Sequence, residues 1–130
     1  MNLVTFLGIY GQVNSAECNL LKRNIERYEQ GKAEYLKIKA QITQIQRDIN
    51  KLVDMQAYEA QLQRLSENRR ELHRVKNLLK VMRGNIELMI EHAKCEVLTF
   101  SDTNSLGYDF SELYLEPLFL DVNERPNIRF

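Results

Sequence analysis

A long stretch with almost no helix-breaking residues occupies the middle of the chain. Gly31 and Gly84 are the only glycine or proline residues between Gly11 and Gly107, so the whole stretch is compatible with helix. A single helix over residues 14–98 would be about 125 Å long at a rise of about 1.5 Å per residue, and helices of globular domains rarely approach that length. The stretch therefore predicts either two helices folded against each other or one continuous helix in an oligomeric coiled coil.

The apolar residues of this stretch recur mostly at alternating steps of three and four, the spacing of a coiled-coil seam. The charges on the helix surface do not favour an isolated helix in water. Six like-charged pairs and only two opposite pairs stand four residues apart, and each pair changes the stability of the helix by about 0.2–0.5 kcal/mol. A packing partner must therefore supply the stability. The predicted seam residues are Leu21, Ile25, Tyr28, Tyr35, Ile38, Ile42, Ile45, Ile49, Leu52, Leu62, Leu65, Leu72, Val75, Leu79, Met82, Ile86 and Met89.

The two halves of the seam are close to mirror images about residue 57, so that Tyr35 corresponds to Leu79 and Gly31 to Gly84. A helical hairpin that turns near this point would produce the mirror, and so would continuous helices of two chains that cross antiparallel. We expect the hairpin, because it brings the apolar ends of the chain to one place where they can share a core.

Capping signals mark where helices could begin. Asn14 followed three residues later by Glu17 resembles a capping box, and Asp54 is placed to cap a second helix. The predicted fold class is all-α: a long antiparallel coiled-coil helical hairpin with short extended or β segments at both termini. One continuous long helix in an oligomeric coiled coil is the alternative.

Composition divides the chain into three parts. Residues 1–13 form an apolar N-terminal arm, residues 14–100 the coiled-coil helical region, and residues 101–130 an acidic, apolar docking tail whose six acidic residues are offset only by Arg125 and Arg129. The apolar residues of the tail alternate as in an extended segment. Because the tail cannot bury them alone, we expect them to pack on residues 1–13 or to dock on another subunit. The predicted docking residues are Leu113, Leu115, Leu118, Phe119, Leu120, Val122 and Phe130.

A cluster of basic residues lies beside the second half of the seam. At helical spacing, four of them form a predicted basic face: Arg69, Lys76, Lys80 and Arg83. We expect them to flank the seam and to pair with acids on another helix or on the tail. Contact with the phosphate backbone of a nucleic acid is the alternative, although no aromatic residues interleave with the basic ones to stack single strands.

Motifs for catalysis or for cofactor binding are not found in the sequence. It contains no phosphate-binding glycine loop, no nucleophile elbow and no zinc-protease motif. His92 and Cys95 stand three apart on a helix, but a metal site needs more ligands than these two. We predict Cys95 to be a small buried residue near the seam. The chain is therefore expected to be no enzyme and to carry neither cofactor nor metal.

Charge and cysteine content limit the partners and the cellular compartment that we expect for the protein. Eighteen basic residues balance eighteen acidic ones, which removes the simplest argument for a nucleic-acid or membrane-surface binder. Two cysteines are too few for a disulfide scaffold, and no apolar run is long enough to span a membrane. We expect a cytoplasmic protein or one within an intracellular assembly.

The architecture favours a non-enzymatic coiled-coil scaffold, adaptor or structural subunit of a larger assembly. Its helices would oligomerise and its terminal segments would dock on a protein partner, a second copy included. A holdase-like chaperone for unfolded or secreted clients is the alternative, and nucleic-acid binding through the basic face is a third hypothesis.

Overall fold

Helices make up nearly all of the chain that the structure describes. The structure is a computed structural model and describes residues 1–100, 109–111 and 113. It contains α1 (Leu3–Val13), α2 (Ser15–Ile49) and α3 (Met55–Phe100), and no strand occurs among these residues. The predicted all-α class is confirmed. The docking residues beyond Leu113 lie outside the described residues.

The N-terminal arm is a helix, so the prediction of an extended or β segment there is wrong. Asn2 caps α1, because its side-chain oxygen accepts a hydrogen bond from the backbone N–H of Thr5 at 2.9 Å. Phe6 and Tyr10 stand four residues apart on one face and are buried. Helical periodicity in residues 3–13 therefore outweighs the cost of two glycines, each worth about 1 kcal/mol relative to alanine.

Asn14 separates α1 from α2 and caps both of them. Its backbone N–H donates to the Tyr10 carbonyl at 2.8 Å, and its side-chain oxygen accepts from the Glu17 N–H at 3.2 Å. The predicted start of the long helix at Asn14 is confirmed.

A break between residues 49 and 55 divides the long stretch into α2 and α3, so the chain does not form one continuous helix. The Lys51 N–H donates to the Asp48 carbonyl at 3.0 Å in the turn. Asp54 begins α3: its side-chain oxygen accepts from the Gln56 N–H at 3.2 Å, and its carbonyl accepts from the Tyr58 N–H at 3.0 Å. Asp54 therefore has the predicted capping role.

The chain divides into two compact units, which we call unit 1 (Met1–Glu26 with Met82–Phe130) and unit 2 (Arg27–Val81). In unit 2 the seam residues of α2 and α3 form the core. Leu79 is 1% exposed, and its Cδ2 atom stands only 2.6 Å from where a Cβ atom at Gly31 would lie. A Cβ atom at Gly31 would thus contact Leu79. Gly84, which the mirror pattern of the sequence matches with Gly31, has open space at its Cβ position. The buried seam residues of unit 2 are Tyr28, Tyr35, Ile38, Ile42, Ile45, Leu65, Val75 and Leu79.

Four other seam residues of unit 2 lie nearer the surface. Ile49, Leu52 and Leu72 are half-buried. Leu62 is 41% exposed. Since Ile49, Leu52 and Leu62 are the seam residues nearest the break between the helices, the seam is more exposed there.

Unit 1 buries a wider face of α3 than the predicted seam, because α1 contributes to its core. Leu21 and Ile86 are buried, whereas Ile25, Met82 and Met89 are half-buried. The remaining core residues of unit 1 are Phe6, Tyr10, Cys18, Ile90, Ala93, Val97 and Leu113.

None of the helices in the described part of the chain combines the length and the apolar character that a membrane crossing requires.

Candidate functional site

One face of α3 in unit 2 carries exposed side chains that change from apolar to basic along the helix. Steps of three and four residues place them on the same side of the helix. Met55 is 66% exposed and Tyr58 39%, so this part of the helix presents apolar surface to solvent. We call this set the outer face: Met55, Tyr58, Leu62, Ser66, Arg69 and His73.

A shallow groove of about 410 Å³ lies at the centre of the outer face. Leu62 and Leu65 give it apolar surface. Its polar groups are the Ser66 hydroxyl, the guanidinium groups of Arg69 and Arg70, and the His73 imidazole. Because a guanidinium donates two parallel hydrogen bonds to a carboxylate or phosphate, the groove is suited to an anion that also carries apolar groups.

The basic groups around this groove have no acid of their own. Within the described part of the chain, Arg69 and Arg70 take part in no hydrogen bond or ion pair. Arg74 differs, since its Nε donates to Glu71 Oε2 at 3.0 Å and its Nη2 donates to Oε1 of the same carboxylate. These hydrogen bonds hold the pKa of Glu71 below its ordinary value. Glu71 is therefore already paired and does not neutralise the groove.

The four residues of the predicted basic face have different surroundings. Arg69 and Lys80 are exposed, Lys76 is half-buried, and Arg83 Nε lies 3.2 Å from Glu87 Oε1 within unit 1. The structure instead groups Arg69 with Arg70 and His73 around the groove. Its four-residue spacings, Leu62 to Ser66 to Arg70 and Arg69 to His73, are visible in the sequence and could have identified this set.

A second polar cluster, in unit 1, ties α1 to α3 through one carboxylate. The Tyr10 hydroxyl donates to Glu96 Oε1 at 2.6 Å, and the Asn14 side-chain amide donates to Oε2 at 2.9 Å. His92 Nε2 lies 3.1 Å from Oε1. The bonds from Asn14 and Tyr10 lower the pKa of Glu96. Burial, followed by the hydrogen bond to Glu96, raises the pKa of Tyr10 above its ordinary value. The cluster fixes helix positions and was not foreseen from the sequence.

The first residues of the C-terminal tail pack within unit 1. The Phe110 ring lies edge-on to the Phe6 ring with centroids 5.7 Å apart, and the N-terminal amino group donates to the Asp109 carbonyl at 3.0 Å. Leu113 is 5% exposed and borders a cavity that Ile90 also lines. Leu113 is therefore covered by its own chain and is not available for docking.

Cys95 is exposed, so the prediction that it is buried near the seam is wrong. It stands two residues after the buried Ala93, which places it on the opposite side of α3. Cys18 is buried, and its Sγ lies 3.3 Å from the Leu7 carbonyl, to which it donates. Among the described residues no group of three or more histidine, cysteine or acidic side chains is arranged to hold a metal ion.

Comparison of the chain with protein-family models, with curated proteins and with solved structures gives no match. The outer face of α3 presents exposed apolar side chains beside unpaired guanidinium groups.

Proposed function

We propose that the protein is a non-enzymatic coiled-coil subunit of a protein assembly, acting as a scaffold or adaptor. In this proposal α2 and α3 form an antiparallel helical hairpin that turns at residues 50–54. What supports the hairpin is the approach of Leu79 to Gly31 together with the turn that follows α2 and the Asp54 cap of α3. A cytoplasmic or other intracellular setting is part of the same proposal, because the two cysteines are free.

The exposed apolar surface of unit 2 is the observation that carries the proposal. Large apolar side chains remain uncovered on both helices: Leu36 on α2, Leu78 and Val81 on α3, and Val53 at the break between them. A pair of helices buries only the seam between them. Exposed apolar side chains on both helices are suited to contact with another protein, so we propose that further copies or partner helices cover them.

The distal part of the tail is proposed as the second contact. Since Phe110 and Leu113 already pack within unit 1, the chain that follows begins from a fixed point. Its apolar residues are the remaining members of the predicted set: Leu115, Leu118, Phe119, Leu120, Val122 and Phe130.

Sedimentation equilibrium of the complete chain tests this proposal. The expected mass exceeds the 15.4 kDa of one chain. The double variant Leu118→Ser/Leu120→Ser should lower that mass, because it removes apolar surface from the docking segment. Val4→Ser/Leu20→Ser is the matched control, since both side chains are exposed in unit 1 and lie outside the docking set. Equal masses for the two variants would refute the docking role of the tail, and a wild-type mass of one chain at every concentration would refute the assembly role.

A holdase-like chaperone is the second candidate, and the break between α2 and α3 is the feature that favours it. Val53, Met55 and Tyr58 are exposed there, so the end of unit 2 presents apolar surface that could hold an unfolded client. An aggregation assay with unrelated client proteins separates the two candidates. A chaperone protects several clients and loses protection in Val53→Ser/Met55→Ser, whereas an assembly subunit protects none.

A further inference from the structure

We propose that the outer face of α3 binds the acidic, apolar C-terminal tail of a second copy of this chain. The inference rests on the proposed assembly function, and it names both the surface and the partner. It places carboxylates of the incoming tail on Arg69 and Arg70, and leucine side chains of the tail on the apolar part of the same face.

Unpaired positive charge is the first argument. The groove brings together two guanidinium groups and an imidazole, and within the described part of the chain neither Arg69 nor Arg70 meets a carboxylate. Of the acids on α3 beside the groove, Glu71 is held by Arg74, and Glu67 accepts a hydrogen bond from the Gln63 side-chain amide at 3.4 Å. An acid from outside the described chain can therefore bind both guanidiniums without displacing an existing ion pair.

Apolar side chains are followed by basic ones along the outer face, which is the second argument. Met55 and Tyr58 are exposed in the turns that precede the groove, and Leu62 is exposed within it, so a ligand that crosses this face meets apolar surface and positive charge side by side. The tail has the complementary pattern, because apolar residues directly precede its acids at Leu115-Glu116 and Leu120-Asp121.

Charge distribution is the third argument, and it favours a second copy over another partner. Unit 2 contains twelve basic and seven acidic residues, whereas unit 1, which includes the tail, contains six basic and eleven acidic. The net charges are therefore +5 and −5. Contact between the acidic tail of one copy and the basic face of another lowers the electrostatic energy of both.

A nucleic acid fits the outer face less well than the tail does. A phosphate backbone would leave Met55 and Leu62 uncovered. Among the residues of the outer face, Tyr58 is the only tyrosine, phenylalanine or tryptophan on which a base could stack.

Charge reversal in trans tests the proposal with the full-length protein. Sedimentation velocity measures self-association of the wild type, of Arg69→Glu/Arg70→Glu and of Glu116→Lys/Asp121→Lys. We expect each variant to associate about tenfold more weakly, since two exposed ion pairs become repulsive contacts. An equimolar mixture of the two variants should regain association, because each then offers the charge that the other needs. Raising the NaCl concentration from about 50 mM to about 500 mM should weaken the wild-type contact.

Lys37→Glu/Arg47→Glu is the matched control, because it reverses two exposed charges on α2 of the same unit. It should leave association within about twofold of the wild type. Far-ultraviolet circular dichroism monitors folding of every variant, and Arg69→Gln/Arg70→Gln provides a milder change with the same expected direction.

Three results would overturn the inference. One is a mixture that associates no better than its separate components. Another is an equal response to the groove variant and to the α2 control. The third is a wild-type monomer whose groove binds duplex DNA instead. A wild-type oligomer that ignores the groove and tail charges removes this inference alone, whereas a chain that stays monomeric at all concentrations removes the proposed assembly function as well.

Discussion

Gly31→Ala should destabilise unit 2 although alanine is the better helix former. A Cβ atom at Gly31 would lie 2.6 Å from Cδ2 and 3.7 Å from Cγ of Leu79, a side chain that is fully buried. Overpacking of this kind costs about 1–3 kcal/mol, whereas the change from glycine to alanine gains about 1 kcal/mol in a helix. The net change in the free energy of unfolding is therefore a loss of about 0–2 kcal/mol.

Gly84→Ala is the matched control for this substitution. Gly84 likewise lies within a helix, α3, and a Cβ atom there would meet nothing within 4 Å beyond the backbone of its own helix. Alanine should accordingly stabilise the protein by about 1 kcal/mol. Both variants are measured by urea denaturation followed by circular dichroism, at one fixed protein concentration because self-association shifts apparent stability.

A double-mutant cycle assigns the cost of Gly31→Ala to its contact with Leu79. Leu79→Ala alone should cost about 2–5 kcal/mol, and it leaves space for the new methyl group. In that background Gly31→Ala should become stabilising by about 1 kcal/mol. If Gly31→Ala stabilises the wild type as much as Gly84→Ala does, or if its effect is unchanged beside Leu79→Ala, the reasoning fails.

Three further predictions concern unit 1. Asn2→Ala removes the cap of α1 and should lower the free energy of unfolding by about 1 kcal/mol in urea denaturation, while Asn2→Ser should retain most of it. The pKa of Glu96 is lowered in the folded state, so its contribution to stability is present above the unfolded pKa and is lost as pH falls through the folded one. Glu96→Gln should therefore flatten the acid side of a stability–pH profile, and an unchanged profile would contradict the role of Glu96. Cys95 is exposed and Cys18 buried, so a thiol reagent should modify one cysteine in the native protein and the second only after unfolding.

The extent of the long helices followed from the scarcity of glycine and proline, whereas helix α1 did not. Residues 3–13 contain Gly8 and Gly11, which have weak helix propensity. The spacing of Phe6 and Tyr10 is helical, however, and their burial in unit 1 offsets the weak propensity. Short helices of this kind depend on tertiary contacts, which a local pattern does not contain.

Charge counting at one spacing also gave an incomplete view of the helices. Pairs four residues apart are mostly like-charged, but the structure pairs opposite charges three residues apart, as in Glu71–Arg74 and Glu91–Lys94. Such contacts contribute about 0.2–0.5 kcal/mol each, so they offset much of the predicted repulsion. The groove was missed for a related reason: Arg69 is expected to flank the seam and Arg70 is not in the predicted basic face, and only the structure shows that no acid of the described chain reaches them.

Salt separates the forces that fold unit 2 from those proposed to assemble it. Its core is made of buried apolar side chains with no buried charge among the described residues, so burial of the seam is nearly independent of ionic strength. The ion pair between Glu71 and Arg74 is exposed, and screening it removes at most a few tenths of a kcal/mol. The outer face, in contrast, joins unpaired guanidiniums to apolar surface, and the Coulomb part of that contact weakens once the Debye length falls below about 10 Å. Helix content that persists at salt concentrations where self-association declines would thus locate the electrostatic contact between chains rather than within them.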